Sequence, residues 1–182
     1  EVLDLACYWA KDVAYDTNCV GALTDSLYAY TQMKNDRNAT HTWGASTLKL
    51  RLLLQDISSQ DTTLCDCQDY SNFLNVLVYS LGCSSYLFKY KRIWPSDDDA
   101  NHKIDTKELK PAQWGYSIPT IDWGLHQIVL YNNGTYADAA TKYSSSEILV
   151  HGDYTWAQYI FLLTNETVKE GEYGNTVVGS GE

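Results

Sequence analysis

Basic residues are scarce in this chain. Thirteen Lys and Arg face 23 Asp and Glu in 182 residues, giving a net charge of −10 and a pI near 4.7. A field of that sign repels phosphate, which argues against nucleic acid and anionic membrane surfaces as partners. There is no run of roughly 18 to 20 uncharged apolar residues of the kind that crosses a bilayer. At 45% the apolar fraction is nonetheless too high for a disordered chain. No segment repeats, and low complexity is confined to residues 179–182. Methionine occurs once, and the chain opens at Glu1 without a basic stretch leading into an apolar one. The expectation is a mature or excised segment whose targeting peptide has been removed.

Against these scarcities stand five cysteines and three sequons, at Asn38, Asn133 and Asn165. Together with the rarity of methionine they lean toward a secreted or cell-surface location. Six Trp and 15 Tyr suit a surface that contacts peptide or sugar, and suit a large aromatic core equally well. The length gives no reason to divide the chain, so residues 1–182 are read as a single domain.

Apolar spacing predicts a helix over residues 2–15 and another over 25–33, the second capped by Thr24-Asp25. A third helix is expected over 47–55. The clearest pattern lies between Cys67 and Leu81, where Tyr70, Leu74, Leu77, Val78 and Leu81 form one stripe and Gly82 follows as a stop. Alternation predicts a strand over 86–91, and 126–131 with 135–139 reads as a hairpin around Asn132-Asn133-Gly134. Residues 156–163 read as a further strand. Helices first and strands later point to an α+β fold.

Cys67 begins the best helix, where unpaired backbone N–H groups and the helix dipole favour a thiolate, so it is the candidate nucleophile. A nucleophilic thiol needs a base that can return the proton to a leaving group, and His126 at the head of an apolar strand is the best placed histidine. Asp138, on the returning strand, is the candidate orienting group. Hairpin register tests the pair. With a three-residue loop and Gly134 in the left-handed region, Tyr131 pairs with Thr135, paired indices sum to 266, and His126 and Asp138 share a face. A two-residue loop at Asn133-Gly134 would put them on opposite faces.

The segment Cys67-Gln-Asp-Tyr-Ser-Asn-Phe-Leu-Asn-Val-Leu-Val-Tyr-Ser-Leu81-Gly82, with His126 and Tyr136-Ala137-Asp138 downstream, resembles the core of transglutaminase-like cysteine enzymes. The likeness covers residues 61–143. In that superfamily a Cys starts a helix that ends at Leu-Gly fifteen residues on, as it does here. It departs from the pattern at Cys65, where a Gly is usual, and at Tyr136, where a Trp is common. The resemblance implies a papain-like, transglutaminase-like core: N-terminal helices, a nucleophile-bearing helix and an antiparallel sheet. It implies Cys67 as nucleophile, His126 as general base and acid, and Asp138 as the group orienting His126. The implied activity is cysteine-dependent acyl transfer through a thioester: amide or isopeptide hydrolysis, or transglutamination. A peptide or protein substrate is expected, cell-wall peptide among the candidates, with no organic cofactor. The alternative is a non-catalytic secreted module on the same fold that binds peptide or glycan. The backbone N–H of Cys67 is an expected oxyanion donor, with Gln60 or Trp43 as candidates for a second.

An odd cysteine count fits one working thiol and four that pair. Cys65 and Cys83 flank a helix about 22 Å long, against the roughly 7 Å between Cα atoms that a disulfide allows, so they should not bond to each other. Cys7–Cys65 with Cys19–Cys83, Cys7–Cys83 with Cys19–Cys65, and four reduced thiols all stay open. Zinc at Cys65-x-Cys67 is disfavoured because no second pair lies at metal spacing. The acidic loop at 96–109 carries Asp97, Asp99, Asn101, Lys103, Asp105 and Glu108 at positions 1, 3, 5, 7, 9 and 12 of the EF-hand calcium pattern. His102 occupies the position usually held by Gly, and Trp94-Pro95 argues against an entering helix. A structural Ca²⁺ and a merely solvated acidic loop are both open readings.

Overall fold

The computed structural model describes residues 1–13, 16–36, 39, 48–59, 62–92, 104–118, 122–123, 126–131, 134–143, 147–164 and 173–180. In chain order they form α1 (Val2–Trp9), α2 (Asp16–Tyr28), β1 (Met33–Asn35), α3 (Leu50–Ser59), β2 (Thr63–Cys65), α4 (Cys67–Ser80) and β3 (Ser85–Arg92). There follow β4 (Ile104–Asp105), β5 (Leu109–Pro111), β6 (Asp122–Trp123), β7 (His126–Tyr131), β8 (Thr135–Tyr143), β9 (Ile148–Thr155), α5 (Trp156–Thr164) and β10 (Tyr173–Ser180). Helices dominate the first half and antiparallel strands the second, an α+β arrangement. Among the described residues no helix is long and apolar enough to cross a membrane.

The main sheet runs β10-β3-β7-β8-β5, with β9 also paired to β8. Tyr136 pairs with Leu130 of β7 and Tyr154 of β9, and Tyr143 pairs with Leu109 of β5 and Ile148 of β9. So β7 and β5 share one edge of β8 while β9 follows the other. The recorded β7–β8 ladder is Tyr131–Thr135, Leu130–Tyr136 and Val129–Ala137, all summing to 266, and it ends there. The three-residue loop reading is therefore the register observed. Beyond that point Asp138 to Ala140 bridges the space between the departing β7 and the arriving β5.

α4 is legible from its ends. The Asp66 carboxylate accepts from Gln68 N–H at 2.8 Å and Asp69 N–H at 3.0 Å, and Asp69 returns a bond to the Asp66 N–H at 3.1 Å. This reciprocal cap satisfies three donors at the helix start. Gly82, just past the C-cap, has φ +82°, a conformation that costs a residue with a Cβ more than it costs glycine. Tyr70, Phe73, Leu74, Leu77 and Val78 are fully buried with α1, α2 and one face of the sheet, including Val129, Tyr131 and Ala137. Each such side chain contributes on the order of 1.5–3 kcal/mol by leaving water. The opposite face carries a second core in which Ile128, Tyr136 and Tyr143 meet Tyr159, Ile160 and Leu163 of α5.

Three expectations are corrected. Thr24-Asp25 is not a cap: both lie inside α2, where Thr24 Oγ1 donates back one turn to the Val20 carbonyl at 2.7 Å. The strand expected at 156–163 is α5, and the strand before it is β9. There the Gln158 side chain accepts the Thr155 N–H at 2.9 Å, a Thr-x-x-Gln start signal that the apolar residues around it concealed. Residues 179–180, taken for a low-complexity tail, close β10, which pairs with β3.

Candidate active site

The polar centre of the site sits on the border between the two cores. His126, first residue of β7, places Nε2 2.6 Å from Asp138 Oδ2, with the two side chains 3% and 2% exposed. Asp138 stays paired with Val150 of β9 beyond the last β7 pair, Val129–Ala137. Its Oδ1 accepts the Ala140 N–H at 2.9 Å. The carboxylate is thus fixed by the backbone two residues further along its own strand.

Cys67, half-buried as the first residue of α4, lies close enough to the His126 side chain for its charge and hydrogen-bonding to raise the imidazole pKa. With Nε2 against a carboxylate, Nε2 carries the proton and Nδ1 is the nitrogen left to act on the thiol. Burial by itself would lower the His126 pKa. The Asp138 charge, the Cys67 charge and the hydrogen bonds to both outweigh it and push the value up to about 10. That environment favours imidazolium. In the first turn of α4 the Gln68 and Asp69 N–H groups are taken by Asp66, and the Tyr70 N–H by the Asp66 carbonyl at 3.2 Å. The Cys67 N–H has no acceptor among the described residues. Next to His126, Gln127 Nε2 donates to Ser71 Oγ at 2.6 Å, joining the start of β7 to the helix that carries Cys67.

Cys65, two residues before Cys67, is its opposite. It is fully buried in β2, and burial together with Asp69, Asp66 and Asp56 drives its thiol far above the usual range. No disulfide joins any of the five cysteines, so neither pairing is present. Cys7 is exposed on α1, whereas Cys65 lies inside the core.

The oxyanion candidates Gln60 and Trp43 lie outside the described residues, as do Asp97, Asp99, Asn101 and Lys103 of the calcium pattern. Asp105 belongs to β4, paired with Asp122, and Glu108 is exposed just before β5. A strand rather than an exiting helix therefore follows position 12 of the pattern. Among the described residues no group of three or more His, Cys, Asp or Glu side chains is arranged to hold a metal ion.

Sequence reasoning missed two members of the cluster. Tyr143 O–H donates to Asp138 Oδ2 and its oxygen lies 3.3 Å from His126 Nε2. Tyr159 O–H lies 2.9 Å from the Tyr143 oxygen and 3.3 Å from the same Oδ2. Tyr159 was out of reach while residues 156–163 were read as a strand, and the Thr155-x-x-Gln158 start signal is what would have revealed its helix. No family model, no curated protein and no solved structure matches the chain.

Proposed function

We propose that this protein catalyses cysteine-dependent acyl transfer through a thioester at Cys67, on a papain-like arrangement of the transglutaminase-like kind. The observation that carries the reading is one continuous chain of contacts, from the thiol at the head of α4 through the buried imidazole to the buried Asp138 carboxylate. In this mechanism the thiol proton passes to His126 Nδ1, and the sulfur attacks an amide carbonyl whose developing oxyanion meets the Cys67 N–H. The imidazolium then protonates the departing amine, leaving a thioester. Water or a second amine, deprotonated by His126, attacks the thioester carbon and releases the acyl group from sulfur. Asp138 holds the imidazole in the required tautomer and stabilises its charge.

Peptide or protein amides are the proposed substrates, met outside the cytoplasm. The test is the rate of iodoacetamide alkylation at each cysteine, read by peptide mass spectrometry at pH 6. Fast modification of Cys67, with Cys65 untouched, is the expected result. Cys67 reacting no faster than exposed Cys7 would leave the non-catalytic binding module as the better reading. A structural Ca²⁺ in the 96–109 loop stays part of the proposal. It predicts a melting temperature several degrees higher in calcium than in chelator, lost in Glu108→Gln.

A further inference from the structure

The Asp138 carboxylate carries more hydrogen bonds than its role toward His126 requires. Oδ1 is occupied by the Ala140 N–H. Oδ2 takes three donors: His126 Nε2, Tyr143 O–H and, more distantly, Tyr159 O–H. Both tyrosines are fully buried, and their rings meet edge to face at 5.4 Å. Tyr159 also stacks on Tyr136 at 6.2 Å and on Trp156 at 5.9 Å, and those two rings meet each other at 5.4 Å. Phenols so enclosed cannot turn to water, and their hydroxyls converge on a single carboxylate oxygen.

We infer that Tyr143 and Tyr159 are positioning residues for the proposed reaction: they share the negative charge of Asp138 and hold Oδ2 on the axis of the imidazole. The inference rests on the reading of Cys67, His126 and Asp138 as a catalytic set. The groups facing that set are Cys67 of α4, His126 of β7, Tyr143 of β8 and Tyr159 of α5, while β9 brings Val150 opposite Asp138. Neighbouring charges point elsewhere, Lys110 of β5 to Glu147 and Asp25 of α2 to His151.

The thiolate, imidazolium and carboxylate together bear one net negative charge, and two phenolic donors stabilise it. Take a donor away and every proton on the set is held more tightly, whichever member holds it. Both limbs of a pH–rate profile must therefore move to higher pH. A charge-assisted hydrogen bond is strong enough to move them by about one unit. Tyr159, whose hydroxyl is shared between the Tyr143 oxygen and Oδ2, should move them less.

The experiment is the iodoacetamide alkylation rate of Cys67 in the full chain from pH 3.5 to 9, for the parent, Tyr143→Phe, Tyr159→Phe and the double variant. Phenylalanine keeps the rings and removes only the hydroxyls, and circular dichroism at each pH confirms folding. The expected result is an acid limb displaced upward by about one unit in Tyr143→Phe, by less in Tyr159→Phe and most in the double variant. A parent Cys67 that titrates like an ordinary thiol would overturn the acyl-transfer reading itself. A parent limb in the acid range that stays fixed in all three variants would overturn this inference alone, even if rates fell uniformly. Should Tyr143→Phe fail to fold, Tyr159→Phe decides by the same criterion.

Discussion

Two histidine–aspartate pairs lie in the described part of this protein, and their chemistry is the same while their surroundings are not. His126 and Asp138 meet at 2.6 Å with 3% and 2% of their side chains exposed, whereas His151 and Asp25 meet at 2.9 Å with 38% and 61% exposed. Charges facing water are screened and hydrated whether or not they touch, so an exposed pair adds about 0–1 kcal/mol. Charges shut away from water depend on each other, and removing one leaves the other uncompensated at a cost of roughly 3–5 kcal/mol. The inner pair is also connected, to a thiol on one side and two phenols on the other. The outer pair joins α2 to β9 and goes no further. Proximity of His to Asp is thus a poor marker of a site, and enclosure with a nucleophile in reach is a better one.

The largest effect that would separate the pairs is kinetic. Asp138→Ala should slow Cys67 alkylation at pH 6 by on the order of 10–10²-fold, because His126 loses its counter-charge and Cys67 the imidazolium beside it. Asp25→Ala should leave that rate within experimental error, and equal losses in the two variants would abolish the distinction.

Stability against pH comes next. The His126 pKa is pushed up to about 10 from an ordinary 6.5, so its protonation supports the fold fully below about 6.5 and the support is lost as pH rises through 10. Urea midpoints of the parent should therefore fall across that window more steeply than those of His126→Gln. Parallel curves for the two proteins would refute the buried charge pair.

A smaller effect tests what positions the outer pair. Gly152 has φ +89°, and a Cβ there would stand 2.8 Å from Val20 Cγ1 on α2. Gly152→Ala should cost about 1–3 kcal/mol through backbone strain and displaced packing, visible as a lower denaturant midpoint. The smallest effect is expected of the outer pair itself: His151→Ala should change stability by about 0.5 kcal/mol or less. A larger loss would mean that exposure understates the coupling between α2 and β9.

Much of this was open to reading before any coordinates. The α4 stripe with Gly82 behind it, and the hairpin with Gly134 in its turn, are written in adjacent residues, because helix and hairpin are local objects with fixed periods. Register parity put His126 and Asp138 on one face only under the three-residue loop, which is the register observed at Tyr131–Thr135. Local pattern failed where an apolar run fits both periods, at 156–163, and where a capping residue type, Asp25, lies in mid-helix facing a partner 126 residues away.

Residue types and spacing thus determined the helix that begins at Cys67 and the hairpin with its 266 register. Tertiary structure alone decided that Cys65 is sealed while Cys67 meets His126, that β7 yields to β5 where Asp138 turns in, and that α5 brings Tyr159 to the same oxygen as Tyr143. None of these follows from a period, because each depends on which elements pack against one another. Burial, which separates the inner pair from the outer, is a property of neighbours distant in sequence.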